Sequence, residues 1–201
     1  MGVRLFQMGS VNSVTYEHFG NIYLHWNIVC HNNAILCSRP IIMASEILTD
    51  EQINSLIEMP KRIENPGAKT RTEGKHARRD FRVKSMDDKH EFALFVRQST
   101  LLPDGFSIGL RWLSKSGEAL MLVRFNGPSH PHSNTLEGEH FEFERHIHCA
   151  TERYLAAGKK DEGYAEVTKE YKTSDGALHC LVKRCNITGL STQADEQDLF
   201  D

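Results

Sequence analysis

The chain has no apolar run approaching the roughly 18 residues a helix needs to cross a bilayer, and its longest candidates are broken by His, Asn or Arg. It also lacks any C-x-x-C pair. The five cysteines, Cys30, Cys37, Cys149, Cys180 and Cys185, are odd in number and scattered, which fits reduced thiols in a cytoplasmic protein better than a disulfide framework. No charge of one sign dominates: a formal net charge of −3 and a pI near 6.4 exclude a uniformly basic nucleic-acid coat. A Walker A sequence, a G-x-G-x-x-G motif after a strand, internal repeats and low-complexity tracts are all missing. What remains is 201 residues with 39% hydrophobic content, enough for one sizeable core.

Charge is scarce at the start of the chain, where residues 1–42 carry only Arg4, Glu17 and Arg39 and keep neither helical nor strand periodicity for long. A basic start, a long apolar core and a small-residue cleavage site would mark a secretory signal, and none stands out. The expectation is a non-native or disordered leader over 1–42, with native translation from Met43. A single α+β domain over 43–190 and an acidic tail over 191–201 would follow.

The domain opens on a capping-box pattern, Thr49 to Gln52, followed by Ile53, Leu56 and Ile57 at helical spacing. Pro60 should stop that helix. Residues 61–84 carry nine basic side chains against three acidic ones, a local charge of +6, and read as a flexible connection running into a strand. Strand patterns then recur at Phe81 and Val83, over 91–98, over 106–113 and over 118–125, joined by short turn-rich links. Short links favour antiparallel neighbours. Ala177, Leu178, Leu181, Val182 and Cys185 repeat at helical spacing near the end, while 150–173 reads as either helix or strand. The fold class expected is α+β: an antiparallel meander of about five strands with an N-terminal and a C-terminal helix.

Histidine is the residue present in excess. Five of the eleven fall within NGPSHPHSNTLEGEHFEFERHIHC, residues 126–149. Asn126-Gly127-Pro128 is turn chemistry, which puts His130 and His132 on a loop. In HFEFERHIHC, odd positions give Phe141, Phe143, Ile147 and Cys149, while even positions give His140, Glu142, Glu144, His146 and His148. Period two sends the first set to the core and the second to the opposite, wet face. His146 and His148 then face the same way, with Cα atoms roughly 6.5–7 Å apart.

Two chemistries fit such a pair. As acid and base without metal, His146 and His148 could cleave RNA, with Glu144 orienting one imidazole and Arg124 stabilising phosphate charge. Arg82, Arg111 and Arg145 are other candidates for that cation, and Arg78, Arg79, Arg82 and Lys84 would hold the nucleic-acid backbone. As metal ligands, His146 and His148 with a carboxylate, Glu152 or Glu144, form a two-His-one-carboxylate set for Zn or Fe. Cys149 cannot pair with His148 as a nucleophile, because strand neighbours point to opposite faces.

Two resemblances bear on these readings. His146-Ile147-His148, with Glu152 and Gly158, is similar to the first metal motif of the cupin family. Gly127, His130 and Asn134 look like part of that family's second motif, although here the two stand in reverse order. From Met43 onward the chain resembles a bacterial family of small proteins of unknown function. The residues carrying this are L-T-D-E-Q, F-V-R-Q-S at 95–99, F-S-I-G-L at 106–110, L-V-R-F-N-G-P at 122–128, H-I-H at 146–148 and K-R-C-N-I. The functional expectation is a nucleic-acid-directed, RNA-cleaving protein of toxin–antitoxin or mobile-element type without a cofactor, partnered by RNA or a cognate protein. The alternatives are a metal-dependent small-molecule enzyme and a non-catalytic protein-binding domain.

Overall fold

The computed structural model describes residues 47–190 and, before them, the backbone of four strands. These are β1 (Val14–Phe19), β2 (Ile22–His31), β3 (Ala34–Cys37) and β4 (Ile41–Ala44), an antiparallel sheet in which β2 pairs with each of the others. The rest of the leader expected over 1–42, and the acidic tail expected over 191–201, lie outside the described residues. The chain divides into two compact units, Met1–Ile47 and Leu48–Asp201.

The second unit is α+β with a mostly antiparallel sheet. In chain order it contains α1 (Asp50–Glu58), β5 (Lys61–Ile63), β6 (Arg71–Glu73), β7 (His76–Ser85), β8 (Glu91–Ser99), β9 (Phe106–Leu113) and β10 (Ala119–Asn126). There follow β11 (His132–Asn134), β12 (Glu139–Phe141), β13 (His146–Cys149), α2 (Glu152–Ala156), β14 (Tyr164–Val167), α3 (Ser174–Arg184) and β15 (Ile187–Thr188). The main sheet has nine strands in the order β14-β13-β10-β9-β8-β7-β5-β15, with β6 paired to β7. Sequence alternation leads one to expect about five. The additional strands span two to four residues, too short to display a period. Among the described strands only the β5–β15 pair is parallel. No helix among the described residues is long and apolar enough to cross a membrane.

Alternation gives the long strands two unlike faces. One carries the in-register row Phe81, Leu94, Leu110 and Val123, each at most 1% exposed. Ile53, Leu56 and Ile57 of α1 and Ala177, Leu178 and Leu181 of α3 are buried in the same cluster. Truncating one of these leucines to Ala should cost about 2–5 kcal/mol. α1 starts on a complete capping box: Thr49 Oγ1 accepts from Gln52 N–H, and Gln52 Oε1 accepts from Thr49 N–H.

The other face is polar. Arg78, Arg97, Ser107, Asn126 and His146 form one cross-strand row, and Asp80, Phe95, Gly109, Arg124 and His148 form the next. Gly109 leaves room for its neighbour, since a Cβ there would lie 2.6 Å from the Phe95 ring.

Residues 61–84 are not the flexible connection expected, because β5, β6 and much of β7 lie within them. Lys61 is fully buried. Its Nζ donates to the carbonyls of Ile57 and Met59 at 2.8 Å and of Cys185 at 3.0 Å, and sits 5.0 Å from the Phe92 ring centre. One ammonium thus supplies donors to the last turns of α1 and α3, where carbonyls lack helical partners. Burial pulls its pKa down to about 8, so it remains protonated at neutral pH.

Candidate metal centre

The histidine stretch folds as two separate elements. β13 keeps the predicted parity: Ile147 faces the core, and His146 and His148 face the other way. The face they share is not wet, however. His146 is 0% and His148 2% exposed, because a hairpin of β11 and β12 covers this end of the sheet. Residues 142–145 leave the strand, and Phe143 is 63% exposed. Glu142 and Glu144 therefore do not share a strand face with the histidines.

Asn134 fixes the hairpin. It is 0% exposed, its Nδ2 donates to the Ala165 carbonyl, and its Oδ1 accepts from the Ala165 N–H, both at 2.9 Å. The side-chain amide mimics a backbone partner for β14. Two residues earlier on the same side of β11, His132 is carried over β13. Its ring centre lies 4.6 Å from that of His148 and 5.5 Å from that of His146, and the last two are 4.9 Å apart. One ring nitrogen from each of the three lies within 4.8 Å of the others.

The hydrogen bonds determine the tautomers. A carbonyl oxygen can only accept, so Nδ1–H of His146 donates to Glu144 O at 2.8 Å, and Nδ1–H of His148 donates to Glu162 O at 2.7 Å. Ala165 orients the Asn134 amide, so Nε2–H of His132 donates to Asn134 Oδ1 at 3.1 Å. The remaining lone pairs are on Nδ1 of His132 and on Nε2 of His146 and His148. Two of them have only long contacts, from Asn126 Nδ2 to His146 at 3.3 Å and from Arg124 Nη2 to His148 at 3.5 Å. Histidines with one nitrogen tied to a carbonyl and the other left basic are arranged as metal ligands commonly are.

Charge follows burial. Burial pulls His146 down to about 4, against the Glu144 carbonyl, which favours the proton. His148 falls to about 2, through burial first and then the nearby Arg124 charge. Both are neutral at pH 7, the form that coordinates metal. Arg124 forms a 2.8 Å ion pair with Glu162. Burial pushes the Glu162 carboxyl up, and the Arg124 charge opposes that. Glu162 Oε2 and Arg124 Nε are buried without a partner. A cavity of about 460 Å³ is lined by His132, His148, Arg124, Glu162, Lys159 and Lys160. Gly163 also borders it, and a Cβ there would lie 2.4 Å from the Tyr154 ring.

Other residues singled out in the sequence are placed differently. Glu144 contributes its carbonyl, not its carboxylate, to His146. Glu152 is exposed at the start of α2. Its carboxylate accepts from Asp50 N–H at 3.3 Å, and its own N–H donates to Asp50 Oδ1 at 2.8 Å. The cluster's third member is His132 instead. In the basic segment, Arg78 pairs with Asp80 at 3.0 Å and Lys84 with Glu91 at 3.6 Å. Arg79 lies over the Phe81 ring at 4.5 Å, while Arg82 is exposed. Sequence reasoning set His132 on a loop and Asn134 in a cupin-like motif without joining either to the histidine pair, and it missed Glu162. The one available signal for the first two was His132-x-Asn134 ahead of a turn glycine, Gly138, whose φ is +73°.

No curated protein and no solved structure matches the chain. A family model does match, over residues 48–187, a span that runs from the residue before the α1 cap into β15 and contains every site residue just described. The chain belongs to that family, a family of unknown function (DUF6978).

Proposed function

We propose that His132, His146 and His148 hold a divalent ion of the zinc class, and that the chain is a metal-dependent enzyme acting on a small molecule in the adjoining cavity. The observation carrying this reading is the cluster itself: three imidazoles with fixed tautomers and one nitrogen each within 4.8 Å. Three histidines leave a tetrahedral ion one open position, as catalytic zinc sites require. An ion there would supply Lewis acidity and make a coordinated water far more acidic. Glu162, with one unpartnered oxygen on the cavity wall, is suited to take the proton. Arg124 is suited to stabilise negative charge developing on the substrate.

The metal reading outranks the metal-free one on proton inventory. An acid–base pair needs one protonated member near neutral pH, and burial keeps both His146 and His148 neutral there. RNA as substrate is the second reading, favoured by the row that runs from His146 through Asn126 and Ser107 to Arg97 and Arg78. Metal content of the purified full chain tests the first proposal. About one equivalent of zinc, lost from a His146→Ala/His148→Ala variant, is expected. Metal-free protein that also fails to take up added zinc would refute it. RNA cleavage that persists in EDTA would support the metal-free ribonuclease instead.

A further inference from the structure

Next to the histidine centre lies a second cavity, of about 370 Å³, lined by His76, Arg97, Ser99, Ser107, Arg124 and His130 among others. Arg124 and His130 line both cavities. The two arginines bring positive charge, the serines bring hydroxyl donors, and no carboxylate is among the lining residues. Arg97 has no ion-pair partner among the described residues, unlike its cross-strand neighbour Arg78. Two nitrogens of the lining, Arg124 Nε and His76 Nδ1, are buried without a hydrogen-bond partner. The guanidinium Nε–H of Arg124 can only donate, so leaving it unpaired is costly and favours an acceptor-rich guest.

The register brings the two arginines within reach of one anion. Arg97 lies opposite Ser107 and Ser107 opposite Asn126, so Arg124 is two strands and one same-face step away. Strand spacing and rise put their Cα atoms roughly 12 Å apart, a gap that two extended arginine side chains can close around one tetrahedral oxyanion. Beyond the cavity, Leu102, Pro103, Pro128 and Phe143 form a largely apolar shelf that Asp104 and Ser129 also border, and Leu102 and Phe143 are 59% and 63% exposed. A bare anion has no use for that shelf. An organic group attached to the anion does.

We propose that this second cavity binds the phosphate of a small phosphate ester, with Arg97 and Arg124 on the phosphate oxygens and the organic part toward Leu102 and Phe143. The inference rests on the reading of the histidine cluster as a catalytic metal centre, since it names the substrate class that centre would act on. It differs from that reading in the residues it requires, so the two can fail separately.

The test titrates the full chain with inorganic phosphate and with adenosine monophosphate, each after EDTA dialysis and again after zinc loading. Wild type should bind both without metal, and the ester more tightly. Arg97→Ala should weaken both by about tenfold, the loss of one charge-assisted contact. Lys115→Ala, which removes an exposed cation outside the cavity lining, should change neither. Equal binding by Arg97→Ala and wild type, binding only in the zinc-loaded form, or no binding at all would overturn the proposal. Inorganic phosphate bound as tightly as the ester would overturn its organic-group part. Zinc uptake by the same samples separates the two readings: zinc without phosphate sinks only the phosphate cavity, and phosphate without zinc sinks only the metal centre.

Discussion

The polar face of the main sheet has two ends, built on the same alternation but exposed very differently. At the β7 end, Arg82 faces water and Lys84 is half-buried beside Glu91. At the β13 end, His146 and His148 occupy equivalent face positions and are almost wholly buried. The strands do not make this difference; the cover does. A hairpin held by one asparagine turns a wet strand face into a dry pocket, and drying that pocket is what leaves two imidazoles neutral and basic at one nitrogen. Periodicity assigns a residue to a face, whereas long-range contacts decide whether that face meets solvent.

Removing the cover should erase the difference. Asn134→Ala deletes both bonds to Ala165 and leaves that N–H and C=O buried without partners. The expected loss is about 2–4 kcal/mol in chemical denaturation, together with weaker zinc binding as His132 comes free.

Acid should reach the two ends unequally. In the metal-free chain, His146 and His148 titrate near 4 and 2 when folded, against an ordinary value of 6.5. The unfolded chain therefore binds more protons below pH 6.5. Their contribution to stability is complete above 6.5 and declines as pH falls from 6.5 toward 4, by at most about 1.4 kcal/mol per pH unit for each histidine. Denaturation midpoints measured in EDTA across that range should show the slope, and a His146→Gln/His148→Gln variant should flatten it. A midpoint independent of pH in wild type would mean that the pocket is wet after all.

Arg124 sharpens the comparison from inside the pocket. Its guanidinium sits 3.5 Å from His148 Nε2 and opposes any cation there. Arg124→Met should raise zinc affinity by about tenfold, a scale expected for one partly screened charge nearby, while weakening phosphate binding; calorimetry reads both. The smallest effect belongs to the open end. Arg82→Ala should change stability by less than about 0.5 kcal/mol, as surface substitutions usually do.

The sequence was legible where the signal is local. The α+β class follows from helical and two-residue periods, and the shared face of His146 and His148 follows from parity. Membership of a family of unknown function could be read from motifs spread through the domain. The extra short strands could not be seen, because a period needs length. Nor could the burial of His146 and His148, which depends on Asn134 pairing with Ala165, a contact across 31 positions. For the same reason the residue that joins the histidine pair was not visible. Glu152 follows His148 closely in sequence but is engaged with Asp50, while His132 arrives on a separate hairpin.

The most direct test of the account is a cobalt titration of the full chain and of His132→Ala, followed by visible absorption. Co(II) in a tetrahedral nitrogen site gives ligand-field bands far more intense than the weak bands of a loosely bound or octahedral ion. The account predicts such bands at one equivalent in wild type and their loss in His132→Ala, with His146 and His148 still present. Identical spectra from the two proteins, or no intense bands from either, would contradict the claim that the hairpin completes a metal centre.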